Sequence, residues 1–310
     1  MARRDMRLVV AATAFSVFAC VLLVVSYGGT GAQQLAKIVE VKSGPLAVLP
    51  AAAQASHADD KPGWPPTREM LNGIVNDDNQ VTVVGVTFEY LDLFEMLETS
   101  IRRAGVNNLL VVCLDRPAYD VLSKQYPNRT YIPPFAPDSP WHKVEYRTDE
   151  FKELTKSRPA FILAFLKLGV NVLYVDTDMI WRSNPYDFLK TVMDDYDIAV
   201  PHDSVPSNVC TALVYAKSNP AALAYVEAWM NEAASGSYMH DQSAWHGLYP
   251  GWAGRFRLLV LEQDRFPNGR TMFQNGGYNW NLHPEGPIIV HANYMVGHDK
   301  KKQALLRFAK

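Results

Sequence analysis

The stretch NVLYVDTDMIW, residues 171–181, decides how this chain is read. It opens as an apolar run of the kind that forms a buried strand, and two carboxylates, Asp176 and Asp178, follow at the strand's exit. In open α/β sheets ligands gather outside the carboxyl ends of the strands, so this is a position where chemistry is done. Residues i and i+2 of an extended segment project to the same side, which lets the two carboxylates converge on one point. Left bare they repel each other and one holds its proton; a divalent cation removes that penalty. Hard oxygen ligands in an open geometry suit Mg²⁺ or Mn²⁺, which keep positions free for phosphate. The competing reading is a turn in which Asp176 and Asp178 merely cap the segment RSNPYDFL.

Working outward, the same strand-then-helix rhythm surrounds the stretch. Upstream, RPAFILAFLKLG starts a helix at Pro159 and stops it at Gly169. Before that, VTVVGV leads into a helix with Tyr90, Phe94, Leu97, Ile101 and Ala104 on one face, closed by Gly105, and NLLVVCL follows as a buried strand. Downstream, DIAV and CTALVYAK read as strands and NPAALAYVEAWMNEA as a helix with Asn219 as its cap and Pro220 in its first turn. This alternation predicts an α/β fold with a mainly parallel central sheet covered by helices on both faces. From about residue 235 the chain turns rich in Trp, Tyr, Gly and Asn, the composition of binding loops rather than of a second core. The acidic run DDYD at 194–197 reads as a solvated helix end.

The 310 residues are 48% hydrophobic, enough for a sizeable core, and a formal net charge of -2 argues against a general nucleic-acid binder. Residues 8–27, LVVAATAFSVFACVLLVVSY, carry no charge; Arg3, Arg4 and Arg7 precede them and the next cation is Lys37. That asymmetry predicts a retained signal anchor with residues 1–7 in the cytoplasm and the rest beyond the membrane, a type II topology, with cleavage near GGTGA as the rival reading. Residues 28–80 read as a flexible stem rich in Gly, Ala, Pro and Gln, and the folded domain is expected over 81–310. Cys20 falls in the anchor, and Cys113 and Cys210 sit in apolar runs, where two buried thiols are expected rather than a bridge. Asn128-Arg129-Thr130 is a glycosylation sequon that fits a secretory lumen.

A second strand exit, PIIVHANYMVGHDKK, runs into His291, Gly297 and Lys300. Imidazole is a competent ligand for Mn²⁺, glycine lets backbone approach a phosphate, and lysine brings a point charge to it. A histidine at a strand end is also a common structural residue.

Taken together, these stretches resemble the retaining glycosyltransferases of family 77, nucleotide-diphospho-sugar transferases with a GT-A fold. The likeness spans roughly residues 81–310 and rests on LETSIRRAGVNNLLVVCLD, ELTKSRPAFILAFLKLGVNVLYVDTDMIWRSNPYDFL, Asp241-Gln242, FPNG at 266–269 and VHANYMVGHDKK. The resemblance implies that Asp176 and Asp178 form a metal-binding DxD with His291 as the further ligand, holding Mn²⁺ or Mg²⁺. It implies that Asp176, Gly297 and Lys300 meet the donor diphosphate, that Asp241 and Gln242 face the donor sugar, and that Thr87, Lys156 and Arg158 contact the nucleotide. One departure stands out: an Asn followed closely by Gly is common after the DxD in this group, whereas here Asn208 is followed by Val209, Cys210 and Thr211.

The function so implied is metal-dependent transfer, with retention, of a pentose or galactose from a UDP-sugar to a cell-wall glycan or glycoprotein. The expected setting is the Golgi membrane, with the catalytic domain in the lumen. Retention permits a carboxylate nucleophile, for which Asp241 is the candidate, or same-face attack in which the departing phosphate takes the acceptor's proton. FPNG and NGGYNW read either as acceptor loops, with Tyr278 and Trp280 as sugar platforms, or as turns and core. The alternative function is a catalytically silent luminal protein that keeps the fold and binds carbohydrate. A phosphotransferase reading of the DxD fits poorly, because Met179 follows where a small or hydroxyl-bearing residue is expected.

Overall fold

The apolar runs become strands whose faces are both covered. The computed structural model of the protein describes residues 66–141, 148–203, 208–274 and 277–308. They fall within one unit, Leu49–Lys310. The expected anchor at 8–27 and most of the expected stem lie outside the described residues. No helix among the described residues is long and apolar enough to cross a membrane.

In chain order the elements are β1 (Gln80–Val86), α1 (Leu91–Arg103), β2 (Leu109–Cys113), α2 (Arg116–Gln125), β3 (Thr130–Tyr131), α3 (Asp149–Lys156) and α4 (Arg158–Leu166). Then come β4 (Asn171–Val175), β5 (Met179–Trp181), α5 (Pro185–Val192), β6 (Ile198–Pro201), β7 (Leu213–Ala216), α6 (Pro220–Ala234) and α7 (Asp241–Leu248). The chain closes with β8 (Leu258–Leu261), α8 (Gly269–Phe273), β9 (Ile289–His291) and α9 (His298–Leu306). Among the described residues seven strands form one sheet in the order β3-β2-β1-β4-β7-β6-β8, and β5 pairs with β9 in a separate two-stranded sheet. The large sheet is parallel except for β7, which runs antiparallel to both β4 and β6.

Alternation along the strands divides the core. Val81, Val83, Leu110, Val112, Val172 and Tyr174 face α4, α6 and α7, where Phe161, Phe165, Trp229 and Trp245 are fully buried. Val84, Val111, Leu173 and Val175 face α1, α2 and α5, where Phe94, Leu97, Ile101, Leu122 and Leu189 pack. At roughly 1.5–3 kcal/mol for each large apolar side chain removed from water, these two layers dominate the folding free energy. α4 is apolar nearly all round because it is enclosed by the sheet on one side and α6 on the other.

The helix signals read from the sequence operate as expected. Pro159 lies in the first turn of α4, Gly105 and Gly169 take positive φ just past α1 and α4, and Asn219 Oδ1 accepts from Ala222 N at 2.9 Å. Cys113 and Cys210 are free and buried. Two boundaries differ. Glu69–Leu71 forms a 3-10 turn, Leu71 and Ile74 join the core, and Arg68 donates to Asn79, so the folded body begins ahead of Val81 and takes in the last part of the expected stem. Within DDYD, Asp197 is buried, since it accepts from Arg257 N at 2.7 Å and from Asn219 Nδ2 at 3.0 Å.

Candidate functional site

The site begins where β4 ends. Asp176 N donates to Ala212 O at 2.9 Å, which fixes the first carboxylate against the residues leading into β7. Two residues later the chain enters β5, and the β5–β9 pairing places Met179 opposite His291. Ala292 N donates to Asp178 O at 2.9 Å, so Asp178 and His291 are held side by side although far apart in sequence. One ligand atom from each of Asp176, Asp178 and His291 lies within 4.8 Å of the others. Two hard carboxylates and an imidazole form a donor set that fits Mn²⁺ or Mg²⁺.

Charges within the cluster are closely paired. His291 Nε2 is 3.2 Å and Lys301 Nζ 2.5 Å from opposite oxygens of Asp178. One terminal nitrogen of Arg158 lies 2.9 Å from both oxygens of Asp176, and the other lies 2.5 Å from Asp241 Oδ2 and 3.2 Å from Thr211 Oγ1. Arg158 also stacks over Tyr174, with 5.3 Å between guanidinium carbon and ring centroid, and its buried Nε has no hydrogen-bond partner among the described residues. Three carboxylates thus face three cationic groups. At Asp178, Asp176 and His291 burial opposes charge, and its balance against the partners differs from group to group. Burial would lift Asp178, but Lys301 and His291 outweigh it and hold the carboxyl far below its ordinary range. Burial wins at Asp176, which is raised despite Arg158. For His291 the Asp178 carboxylate overcomes burial and raises the imidazole to about 10.

Asp241 and Gln242 open α7 beside this cluster. The Asp241 carboxylate is buried, accepts from Thr211 Oγ1 at 2.8 Å as well as from Arg158, and its backbone carbonyl takes the indole N–H of Trp229 at 2.8 Å. Gln242 is held at both ends: Oε1 accepts from Thr211 N and Nε2 donates to Asp203 Oδ2, each at 3.3 Å. Asp203 in turn accepts from the hydroxyl of Tyr294 at 2.8 Å.

The remaining expected residues fall in different places. Thr87 is buried and directly follows β1, at the start of a 3-10 turn, Phe88–Tyr90. Lys156 ends α3, where it pairs with Glu153 at 3.6 Å. Arg158 is a bridge between two acids. Gly297, with φ 95, caps α9, a conformation that strains any other residue. Lys300 is exposed on α9, and its neighbour Lys301 is the lysine that reaches Asp178. The signal for Lys301 is the fully buried Leu305 four residues on, which marks the inward face of the helix. FPNG is a brace: Pro267 O accepts from His291 N at 3.2 Å, and Gly269 N donates to Asn293 Oδ1 at 2.7 Å. A Cβ on Gly269 would lie 1.8 Å from Asn293 O, so only glycine fits there. Of the two aromatics in NGGYNW, Tyr278 is buried and Trp280 is exposed. Sequence reasoning also missed Asp115, a buried carboxylate that accepts from Phe88 N at 3.0 Å and Ala118 N at 2.8 Å and so joins the exits of β1 and β2.

The nucleotide-diphospho-sugar transferase family model matches residues 104–305. UDP-D-xylose:L-fucose alpha-1,3-D-xylosyltransferase 3 of Arabidopsis thaliana is 27% identical over 259 residues, 76% of this chain and 67% of that protein. Beta-arabinofuranosyltransferase RAY1 of the same plant is 25% identical over 260 residues, 75% of this chain and 48% of its own length. Among solved structures, a glycosyltransferase involved in glycosylation of the major capsid of PBCV-1 aligns with 73% of this chain and 98% of its own, at 12% identity and a TM-score of 0.44.

Proposed function

We propose, on the premise that this chain belongs to the nucleotide-diphospho-sugar transferase family and is a nucleotide-sugar-dependent glycosyltransferase, that it moves a pentose or galactose from a UDP-sugar to a glycan or glycoprotein. The mixed, mostly parallel sheet with helices on both faces is the GT-A architecture expected of that activity. The observation that carries the reading is the convergence of Asp176, Asp178 and His291.

These three residues would hold Mn²⁺ or Mg²⁺, which supplies Lewis-acid stabilisation of the departing nucleoside diphosphate. Lys301 is placed to turn from Asp178 to a phosphate oxygen, and Gly297 and the first amides of α9 offer further donors. Lys300, exposed one position earlier, is less well aimed. Arg158 neutralises Asp176 and Asp241 at once, so that neither repels an incoming diphosphate. With a divalent cation in place of a proton on His291, the cluster carries one net positive charge, which suits an anionic donor and still more the charge that builds as the glycosidic bond stretches. Asp241 is engaged by Arg158 and Thr211 and buried, which supports a role in holding the sugar and favours same-face attack over a carboxylate nucleophile.

The uncharged segment at residues 8–27 supports a single-pass anchor and a luminal Golgi setting. The test is release of UDP from UDP-xylose, UDP-arabinose and UDP-galactose with Mn²⁺ or with a chelator. Turnover of at least one donor that chelation abolishes is the expected result. Glycan binding without turnover of any donor would favour the silent alternative.

A further inference from the structure

We propose that Cys210 is a positioning residue for His291, its sulfur accepting the ring's Nδ1–H and so leaving the Nε2 lone pair for a cation held beside Asp178; this rests on the metal-site reading above. Cys210 Sγ is 3.8 Å from His291 Nδ1, on the opposite side of the ring from the 3.2 Å contact between Nε2 and Asp178. A second contact shows the sulfur acting as an acceptor. Gly269 N can only donate, so the atom of Asn293 that it meets at 2.7 Å is Oδ1, and the amide nitrogen is turned to Cys210 Sγ at 3.7 Å.

The sulfur is held in place. Cys210 is 5% exposed, and its backbone N–H donates to Pro201 O at 2.8 Å. The small cavity that adjoins it is walled by Met179, Leu213, Phe266 and Ile289, whose side chains carry no oxygen, and by Asn268, whose Oδ1 is engaged by Thr271 N at 2.9 Å. A metal-ligating imidazole commonly gives its other N–H to a carboxylate, a backbone carbonyl or a water, which fixes the tautomer and strengthens the ligand. Here a thiol occupies that place. It selects the tautomer but, as a weak acceptor, raises the basicity of Nε2 less. The sequence departure at Asn208-Val209-Cys210-Thr211 thereby gains a role: Cys210 backs the metal ligand while Thr211 holds the sugar-side pair.

The experiment titrates Mn²⁺ into the purified full chain and reads free Mn²⁺ by electron paramagnetic resonance, with thermal unfolding followed in parallel. Cys210→Val, apolar and without an acceptor, is expected to weaken Mn²⁺ binding about tenfold while the protein stays folded. Cys210→Ser, which restores an acceptor, is expected to bind within about threefold of wild type. Cys210→Ala takes the place of the valine variant if that one does not fold. Wild-type Mn²⁺ affinity in the variants without an acceptor would overturn the inference, and so would a serine variant as weak as they are. His291→Ala separates the two levels: if it binds Mn²⁺ like wild type, the metal reading itself fails; if it binds weakly while the Cys210 variants do not, only the role of Cys210 is lost.

Discussion

In the seven-stranded sheet, Val81, Val83, Leu110 and Val172 are wholly buried between helices, and their registers are set by long apolar runs. The β5–β9 pair is built differently: two strands of three residues each, antiparallel, with Asp178 just before one and His291 at the end of the other. The first region holds the fold together through area removed from water. The second spends little chain and holds charge, and its geometry depends on what braces it. Damage to the two regions should therefore separate stability from activity.

The largest expected effect is in the first region. Phe165→Ala empties a fully buried site on α4 and should cost about 3–5 kcal/mol of stability, read by chemical denaturation. An unfolding midpoint near wild type would break the comparison. In the second region, Asp178→Asn should lower metal-dependent UDP release about 10²–10³-fold, or about 3–4 kcal/mol of transition-state stabilisation. Its loss of stability should be smaller than that of Phe165→Ala, and the reverse ranking would show that the small sheet is also a stability element. Lys301→Ala should reduce UDP release about tenfold, whereas Lys300→Ala should stay within about twofold; equal effects would remove the distinction drawn from the phase of α9.

The smallest effect lies at the far edge of the large sheet. Burial would raise the carboxyl of Asp197, but the hydrogen bonds from Arg257 and Asn219 outweigh it and lower its pKa. A depressed carboxyl stabilises the fold above its unfolded value, near 4, and loses that contribution as pH falls through the folded value. Asp197→Asn should therefore cost about 1 kcal/mol at neutral pH, and the gap to wild type should close in acid. A gap that persists at pH 2 would argue for lost packing instead.

The large sheet was legible because its signals are local. VTVVGV, NLLVVCL and NVLYV are buried strands by composition, and Gly105, Pro159, Gly169 and Asn219 punctuate helices within a few residues of where they act. The metal triad was legible in part, since two strand exits each present a ligand. What escaped depends on distance. The antiparallel course of β7, the pairing of β5 with β9 and the bridge from Arg158 to Asp176 and Asp241 are set by tertiary packing, and no short window contains both partners. The choice between Lys300 and Lys301 turned on where α9 starts, and a shift of one residue in helical phase moves a side chain by about 100°.

The reversal of β7 has a consequence for how the molecule can change. Because that strand runs backwards beside β4, the residues that enter it, Cys210 to Ala212, stand at the same end of the sheet as Asp176. Residues 208–212 therefore reach the charged cluster without belonging to any strand, although Val209, Cys210 and Ala212 also pack in the core. For an engineer seeking a different donor sugar, or a lineage drifting toward one, this segment is a short cassette: a few substitutions of matched volume there reach the charged cluster while leaving the pairing of the sheet as it was.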